Sequence, residues 1–369
     1  MICLQPIQQQ GLLFKHIIGT GGIGSGIFFS MCHDHTLGRN ESRMASLLPY
    51  KDFCKQHIIM HYVSVLLGAE VNGQFQSFPI GKVGNDDIGK NLIEKIKAVG
   101  MDTRNVTAVD NLSTLFSVCF QYPDKSGGNI TTENSASSSV SPADISLFFR
   151  EFTLSGDEEL ILAVPEVPLR TRIKLLEYGR QRGSLNVASL LSSEVDDFKN
   201  MHGFEMVDIL SVNIDEAQSI AQLPDDPVTS TLVIEACIKT LTAINPSISI
   251  AITDGANGSY CYTKNCLQFT PAIKVPVIST AGAGDAFLAG IISGLCCGLP
   301  LCKGFNGTDF TSAELESAVE LGTLLGSFSV TSPDTIHFGA DTETLYRFAK
   351  TNEVTFGTNF RMLFKDCLV

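Results

Sequence analysis

Short runs of apolar residues alternate along the chain with longer stretches in which apolar residues return every three or four positions. Phe14 to Ile18 and Gln74 to Val83 read as strands, as do Leu160 to Val164, Val207 to Val212 and Ile248 to Ile252. Helical patterns lie between them. Ile88, Leu92, Ile96 and Val99 share one face of a helix over Asp87 to Val99, and Gly100 follows as its stop. Arg170 to Arg182 and Thr229 to Ala243 have similar spacing, and Thr311 with Glu314 predicts a capping box for a helix through Leu325. Strands separated by helices indicate a mainly parallel sheet covered on both faces.

One region departs from this rhythm. Thr114 to Tyr122 is rich in β-formers, Pro123-Asp-Lys-Ser-Gly-Gly128 follows, and Asn129 to Thr132 returns. That order predicts an antiparallel hairpin, a small β flap on the α/β body, with the Ser-rich stretch Ser135 to Ser141 as its return linker.

Composition narrows the class. With 369 residues, 44% apolar and 18% charged, the chain can bury a large core and is not generally disordered. The net charge of −13, with no Lys/Arg-rich run, argues against a nucleic-acid surface. Eleven cysteines, an odd count without any CxxC pair, suggest free thiols in a reducing compartment. No segment approaches the roughly 18 continuous apolar residues of a membrane helix. A cytoplasmic protein without membrane or nucleic-acid partners is expected.

The chemistry concentrates in Ser279-Thr-Ala-Gly-Ala-Gly-Asp285, between an expected strand, Ile273 to Ile278, and an expected buried helix from Ala286. Glycines at such a turn let a ligand approach the backbone, and the helix's first N–H groups attract an anion. A carboxylate there would repel a bound phosphate, but it suits a base that takes a proton from an attacking hydroxyl. From the turn alone, a helix-capping Asp285 explains the pattern equally well.

Four segments, in order along the chain, break that tie. Thr280-Ala-Gly-Ala-Gly-Asp-Ala-Phe287 resembles the C-terminal signature of the ribokinase-like, phosphofructokinase-B type carbohydrate kinases. Leu67-Gly-Ala with Ile80-Gly-Lys-Val-Gly-Asn-Asp-Asp-Ile-Gly89 is similar to that family's N-terminal signature region. Ser211-Val-Asn-Ile-Asp-Glu216 is similar to its Asn-x-x-Glu element, and Thr253-Asp-Gly-Ala-Asn-Gly258 to its nucleotide loop.

The resemblance implies a ribokinase-like three-layer α/β/α sandwich with a mainly parallel sheet and a small β lid. It implies one kinase domain over residues 1–369, with the lid drawn from about 34–46 and 114–132. The activity implied is ATP-dependent phosphorylation of a hydroxyl on a sugar or similar small molecule, with Asp285 as catalytic base and Gly282, Ala283 and Gly284 as anion hole. Asn213, Thr253, Gly255, Gly258 and Thr280 are implied at the nucleotide, and Glu216 with Asn213 at Mg²⁺ through water. The free edge of a lid sheet also suggests a homodimer.

The substrate half departs from the family. Gly22-Ile-Gly-Ser-Gly-Ile27 lacks the acid that usually binds sugar hydroxyls, Cys54 to His61 replaces a Gly-Gly-x-x-x-Asn stretch, and Ser279 replaces an acid. Arg39, Asn40 and Glu41 are therefore the expected substitutes, and Arg39 would favour a substrate bearing a carboxylate or phosphate. A nucleoside or vitamin kinase of the same fold would share the transfer residues, and a silent sugar sensor would need no base.

Three look-alikes point elsewhere. Gly19-Thr-Gly-Gly-Ile-Gly24 is a literal GxGxxG and would serve an NAD-dependent oxidoreductase if it opened a helix, but His33-Asp-His-Thr-Leu-Gly-Arg-Asn40 breaks any helical pattern. Gly84 to Asn91 resembles a Walker A loop, yet Asn91 replaces the Mg²⁺-binding hydroxyl, so a helix start is expected. His33 and His35 have no third metal ligand at matching spacing.

Overall fold

The computed structural model describes residues 2–124, 126–152, 154–224, 228–303 and 313–368. β1 (His16–Thr20) leads directly into β2 (Gly24–Met31) and β3 (Ala45–Phe53), followed by α1 (Lys55–Leu67), β4 (Gln76–Gly84), α2 (Asp87–Ala98) and β5 (Val106–Val109). A hairpin of β6 (Leu115–Gln121) and β7 (Gly127–Thr131) precedes α3 (Pro142–Glu151), β8 (Glu159–Ala163), α4 (Leu169–Arg182) and β9 (Leu185–Ala188). Next come α5 (Val195–Asn200), β10 (Ile209–Asn213), α6 (Ile214–Ile220), α7 (Ser230–Ile244) and β11 (Ser249–Thr253). The chain closes with β12 (Gly258–Thr263), β13 (Cys266–Pro271), α8 (Ala283–Cys296), α9 (Ala318–Ser329), α10 (Thr342–Thr351) and α11 (Thr358–Leu363).

The large sheet runs in the order β13-β12-β11-β10-β9-β8-β1-β4-β5. From β11 to β5 every neighbour is parallel, and only β12 and β13 are antiparallel. Such strands are covered on both faces and read as apolar runs, as Leu160 to Ala163 of the fully buried β8 do. One core joins α1, α2 and α8 to α11 to the sheet, and a second joins α3 to α7 to its other face. The layers are those of the expected α/β/α sandwich.

The smaller sheet is ordered β3-β2-β6-β7, with β2 and β6 parallel to each other. The β6–β7 hairpin matches the sequence expectation. The other half of this sheet does not: its strands are β2 and β3, whereas residues 34–46 are mostly the loop joining them.

Several expectations need correcting. Ile273 to Ile278 forms no strand; Pro276 removes a ladder donor, and Ile273 N and Ile278 N donate instead to Ser327 Oγ (3.2 Å) and Val330 O (2.8 Å) near the end of α9. Thr311 lies outside the described residues, and α9 begins later, capped by Ser317 and Glu320. Gly19 to Gly24 joins two strands rather than opening a helix, which removes the geometry a dinucleotide site requires. Ser135 to Ser141 is more than a linker, since Ala136–Ser139 makes a 3₁₀ turn and Ser141 caps α3. Gly84 to Asn91 is a helix start as expected, with Asp86 Oδ1 accepting from Gly89 N at 2.8 Å. Among the described residues no two cysteines form a disulfide, and no helix is long and apolar enough to cross a membrane.

Candidate active site

In an open parallel sheet, ligands gather at the carboxyl ends of the strands, where the winding direction reverses. Here the reversal falls between β1 and β8: from β1 the sheet builds towards β4 and β5, and from β8 towards β9, β10 and β11. A cavity of about 400 Å³ opens at that end, and Glu166, Asn213, Thr280, Gly282, Asp285 and Lys55 are among its walls.

The turn before α8 supplies one wall. Gly282 has φ +79°, a left-handed conformation costly for any residue with a Cβ, and a Cβ there would lie 2.5 Å from Thr335 O. Of the three expected anion-hole amides, that of Ala283 bends back to Thr280 O at 3.3 Å. Ser279 is buried, and its Oγ accepts from Ala281 N at 3.3 Å. Asp285 sits in the first turn of α8, where a carboxylate is favoured by the helix dipole.

Opposite it, Lys55 opens α1, and its Nζ is 3.5 Å from Asp285 Oδ1. Lys55 N donates to Glu166 Oε2 at 3.2 Å. The charges of Asp285, Glu216 and Glu166 hold the Lys55 ammonium well above its ordinary range despite its burial. Glu166 follows β8 with φ +76°, an uncommon left-handed backbone for a non-glycine residue. Burial pushes its carboxyl up to about 7, Lys55 opposes the rise, and Asp285 adds to it. Asp52, on β3, is likewise pushed up, chiefly by burial and against hydrogen bonds from Ser117 and Cys119.

Asn213 and Glu216 are folded into each other. Asn213 N donates to Glu216 Oε2 (2.9 Å), and Glu216 N donates to Asn213 Oδ1 (2.8 Å), a capping box for α6. Burial raises the Glu216 carboxyl and Lys55 opposes the rise. Thr253 is the register partner of Asn213 on β11, and its Oγ1 is 4.0 Å from where a Cβ at Gly284 would be. Asp285, Thr280, Gly282 and Asn213 thus share one cavity, with Thr253 beside Gly284. Gly255 and Gly258 lie one turn further on, at the start of β12, and are not among its walls.

Arg39, Asn40 and Glu41 are not brought to this cavity. All three are exposed in the β2–β3 loop. The Glu41 carboxylate is used locally: Gly38 N donates to it at 2.9 Å, the Arg43 guanidinium pairs with it, and together they hold it at about 2. His35 contacts the same carboxylate, and no group of three or more metal-ligating side chains occurs among the described residues.

Among the cavity residues that sequence reading missed are Asp52, Lys55, Glu166 and Thr335. Thr335 joins β3 to the α8 turn. Its N donates to Lys51 O (3.1 Å), its Oγ1 accepts from Phe53 N (2.9 Å), and its backbone packs on Gly282. Glu166 left a signal in Val164-Pro-Glu-Val-Pro168, a carboxylate between two prolines just past a strand. Lys55 directly precedes the apolar pattern of α1. Asp52 left none, because only the pairing of β2 with β3 turns it towards the site.

The sheet order, the small second sheet and the glycine turn before α8 define an α/β/α fold with a cavity at its strand ends, and sequence comparison assigns the chain to one family. The profile of the pfkB family carbohydrate kinases matches residues 63–343, and the chain belongs to that family. It is 27% identical over 257 residues to a deoxyribokinase of Salmonella typhi, covering 69% of this chain and 75% of that protein. The ribokinase of Cryptococcus neoformans in complex with ADP superposes with a TM-score of 0.68 at 18% identity, covering 90% of this chain and 99% of that one. The nucleoside kinase of Burkholderia thailandensis in complex with inosine gives 0.65 at 15% identity, covering 92% and 99%. The protein is therefore a carbohydrate kinase of the pfkB type, with the ribokinase-like fold; kinases of this fold use ATP.

Proposed function

We propose that this chain transfers the γ-phosphoryl group of ATP to a hydroxyl of a sugar, with Asp285 accepting the hydroxyl proton. The observation that carries the reading is the position of Asp285, in the first turn of α8, on the cavity wall and 3.5 Å from Lys55. A carboxylate serving only as a cap has no use for a lysine paired with it on the wall of a cavity.

Each element then has a task. The Gly282 turn and the N-terminus of α8 present amides to charge developing on the transferring group. Asp285 takes the proton as the substrate oxygen attacks. Lys55 orients that carboxylate and offsets the charge of Glu166 and Glu216. Thr280, Thr253 and Asn213 line the side on which the nucleotide phosphates reach the turn.

Asn213 and Glu216 fit a Mg²⁺ held through water, because they bring a carboxylate and an amide oxygen, both hard donors, fixed to each other at a strand end. When bound, that ion neutralises phosphate charge. A sugar is preferred to a nucleoside by family membership and by the deoxyribokinase likeness.

Asp285→Asn is the test. Loss of the base should lower kcat by ~10²–10⁴-fold or more, with the affinity for ATP and the melting temperature nearly unchanged. Turnover within a few fold of wild type would refute the assignment.

A further inference from the structure

The stretch Gly22 to Ile27 offers the cavity no acid of its own, yet it lies beside one. Gly26 of β2 is the register partner of Asp52 on β3 and of Ser117 on β6. A Cβ at Gly26 would stand 2.0 Å from Ser117 Oγ and 2.9 Å from Asp52 Cβ. With that space empty, Ser117 Oγ donates to Asp52 Oδ2 across the central strand. Asp52 is only 8% exposed, and what remains accessible faces the cavity that also contains Asp285.

A buried carboxylate loses its hydration, and nothing in strand pairing requires one here, since a neutral residue would satisfy Ser117 as well. Its use is as an acceptor for a ligand donor. The other wall charges narrow that ligand. Asp52, Glu166 and Asp285 face a space in which Lys55 is already committed to Asp285. A substrate already carrying phosphate or carboxylate would add a further anion to three carboxylates, whereas a neutral polyol brings hydroxyl donors to each.

We propose that Asp52 is a substrate-binding residue that accepts a hydroxyl of a neutral, unphosphorylated sugar, entering from the strand beside the one that lacks an acid. The assignment rests on the sugar-kinase reading above and replaces Arg39, Asn40 and Glu41 as the specificity element.

Calorimetric titration tests it without turnover. D-ribose, 2-deoxy-D-ribose, D-fructose, ribose 5-phosphate and fructose 6-phosphate are titrated into the full chain with Mg²⁺ and a non-hydrolysable ATP analogue. The proteins are wild type, Asp52→Asn and Ser117→Ala. At least one neutral sugar should bind wild type and bind Asp52→Asn roughly tenfold or more weakly, as expected for losing a hydrogen bond to a charged acceptor. Ser117→Ala should weaken the same sugar by a few fold, because Asp52 is then less firmly held, and the affinity for the ATP analogue should be unchanged in both variants. The proposal is overturned if Asp52→Asn keeps wild-type affinity, if no neutral sugar binds, or if a sugar phosphate binds more tightly than every neutral sugar. A base assignment that fails in the Asp285→Asn turnover assay leaves this titration unaffected, so the two failures are told apart.

Discussion

Replacing Glu166 by glutamine removes a carboxylate from the group of charges around Lys55 while keeping its size and its contact with Lys55 N. In the folded protein this carboxyl titrates at about 7, against an ordinary 4.5. When the folded value lies above the unfolded one, the folded state holds the proton more tightly between the two. The favourable contribution is then complete below about 4.5 and is lost as pH rises through about 7. That interval corresponds to at most ~3 kcal/mol, and coupling to Lys55 and Asp285 together with partial exposure reduces it to about 1–2 kcal/mol. Urea unfolding of the ligand-free protein at pH 5 and pH 8.5 measures the effect. Glu166→Gln should exceed wild type in stability at pH 8.5 by about 1–2 kcal/mol more than it does at pH 5. An equal difference at the two pH values, or a larger one at pH 5, would refute the claim that a buried ionised Glu166 strains the empty site.

Two further outcomes follow from other parts of the fold. Gly282→Ala should lose at least ~1–2 kcal/mol of stability in thermal or urea unfolding, because alanine is strained at φ +79° and its Cβ would meet Thr335 O at 2.5 Å; kcat should fall as the turn shifts. His57 is 2% exposed on α1, both of its ring nitrogens lack a hydrogen-bond partner, and burial, His61 and Lys95 depress it to about 3. With the folded value below the unfolded 6.5, stability is lost as pH falls from about 6.5. His57→Leu should therefore gain over wild type by up to ~2 kcal/mol more at pH 5 than at pH 8, and a pH-independent gain would count against the argument.

The parallel body could be read from sequence because its strands are fully buried and its helices amphipathic, so each element carries its own period. Asp87 to Val99 shows this: the predicted helix and α2 differ by one residue. The α8 side of the cavity was legible for a similar reason, since Asp285, Gly282 and Asn213, with Thr253 beside Gly284, stand at element ends where short motifs form. The lid was only half legible. β6 and β7 meet through a local turn, whereas β2 and β3 are joined by a long loop and contain Gly24, Gly26, Pro49, Lys51 and Asp52, a composition that resembles a loop. Asp52, Lys55 and Glu166 come from three separate elements, and only long-range pairing brings them together. Arg39 to Glu41 looked like a binding cluster because sequence shows which charges are near one another, not that Glu41 is already engaged by Arg43 and Gly38.

Thr335 gives β3 and the turn before α8 a common support. Through Lys51 O and Phe53 N it holds the end of β3, one residue on either side of Asp52, and through its own backbone it braces Gly282. With the acceptor at Asp52 and the nucleotide at the Gly282 turn, as proposed above, a displacement of β3 would be passed through Thr335 to that turn. Under the proposed assignment, any change that occupancy of one subsite makes in affinity at the other is matched, by thermodynamic reciprocity, by the same factor in the reverse direction.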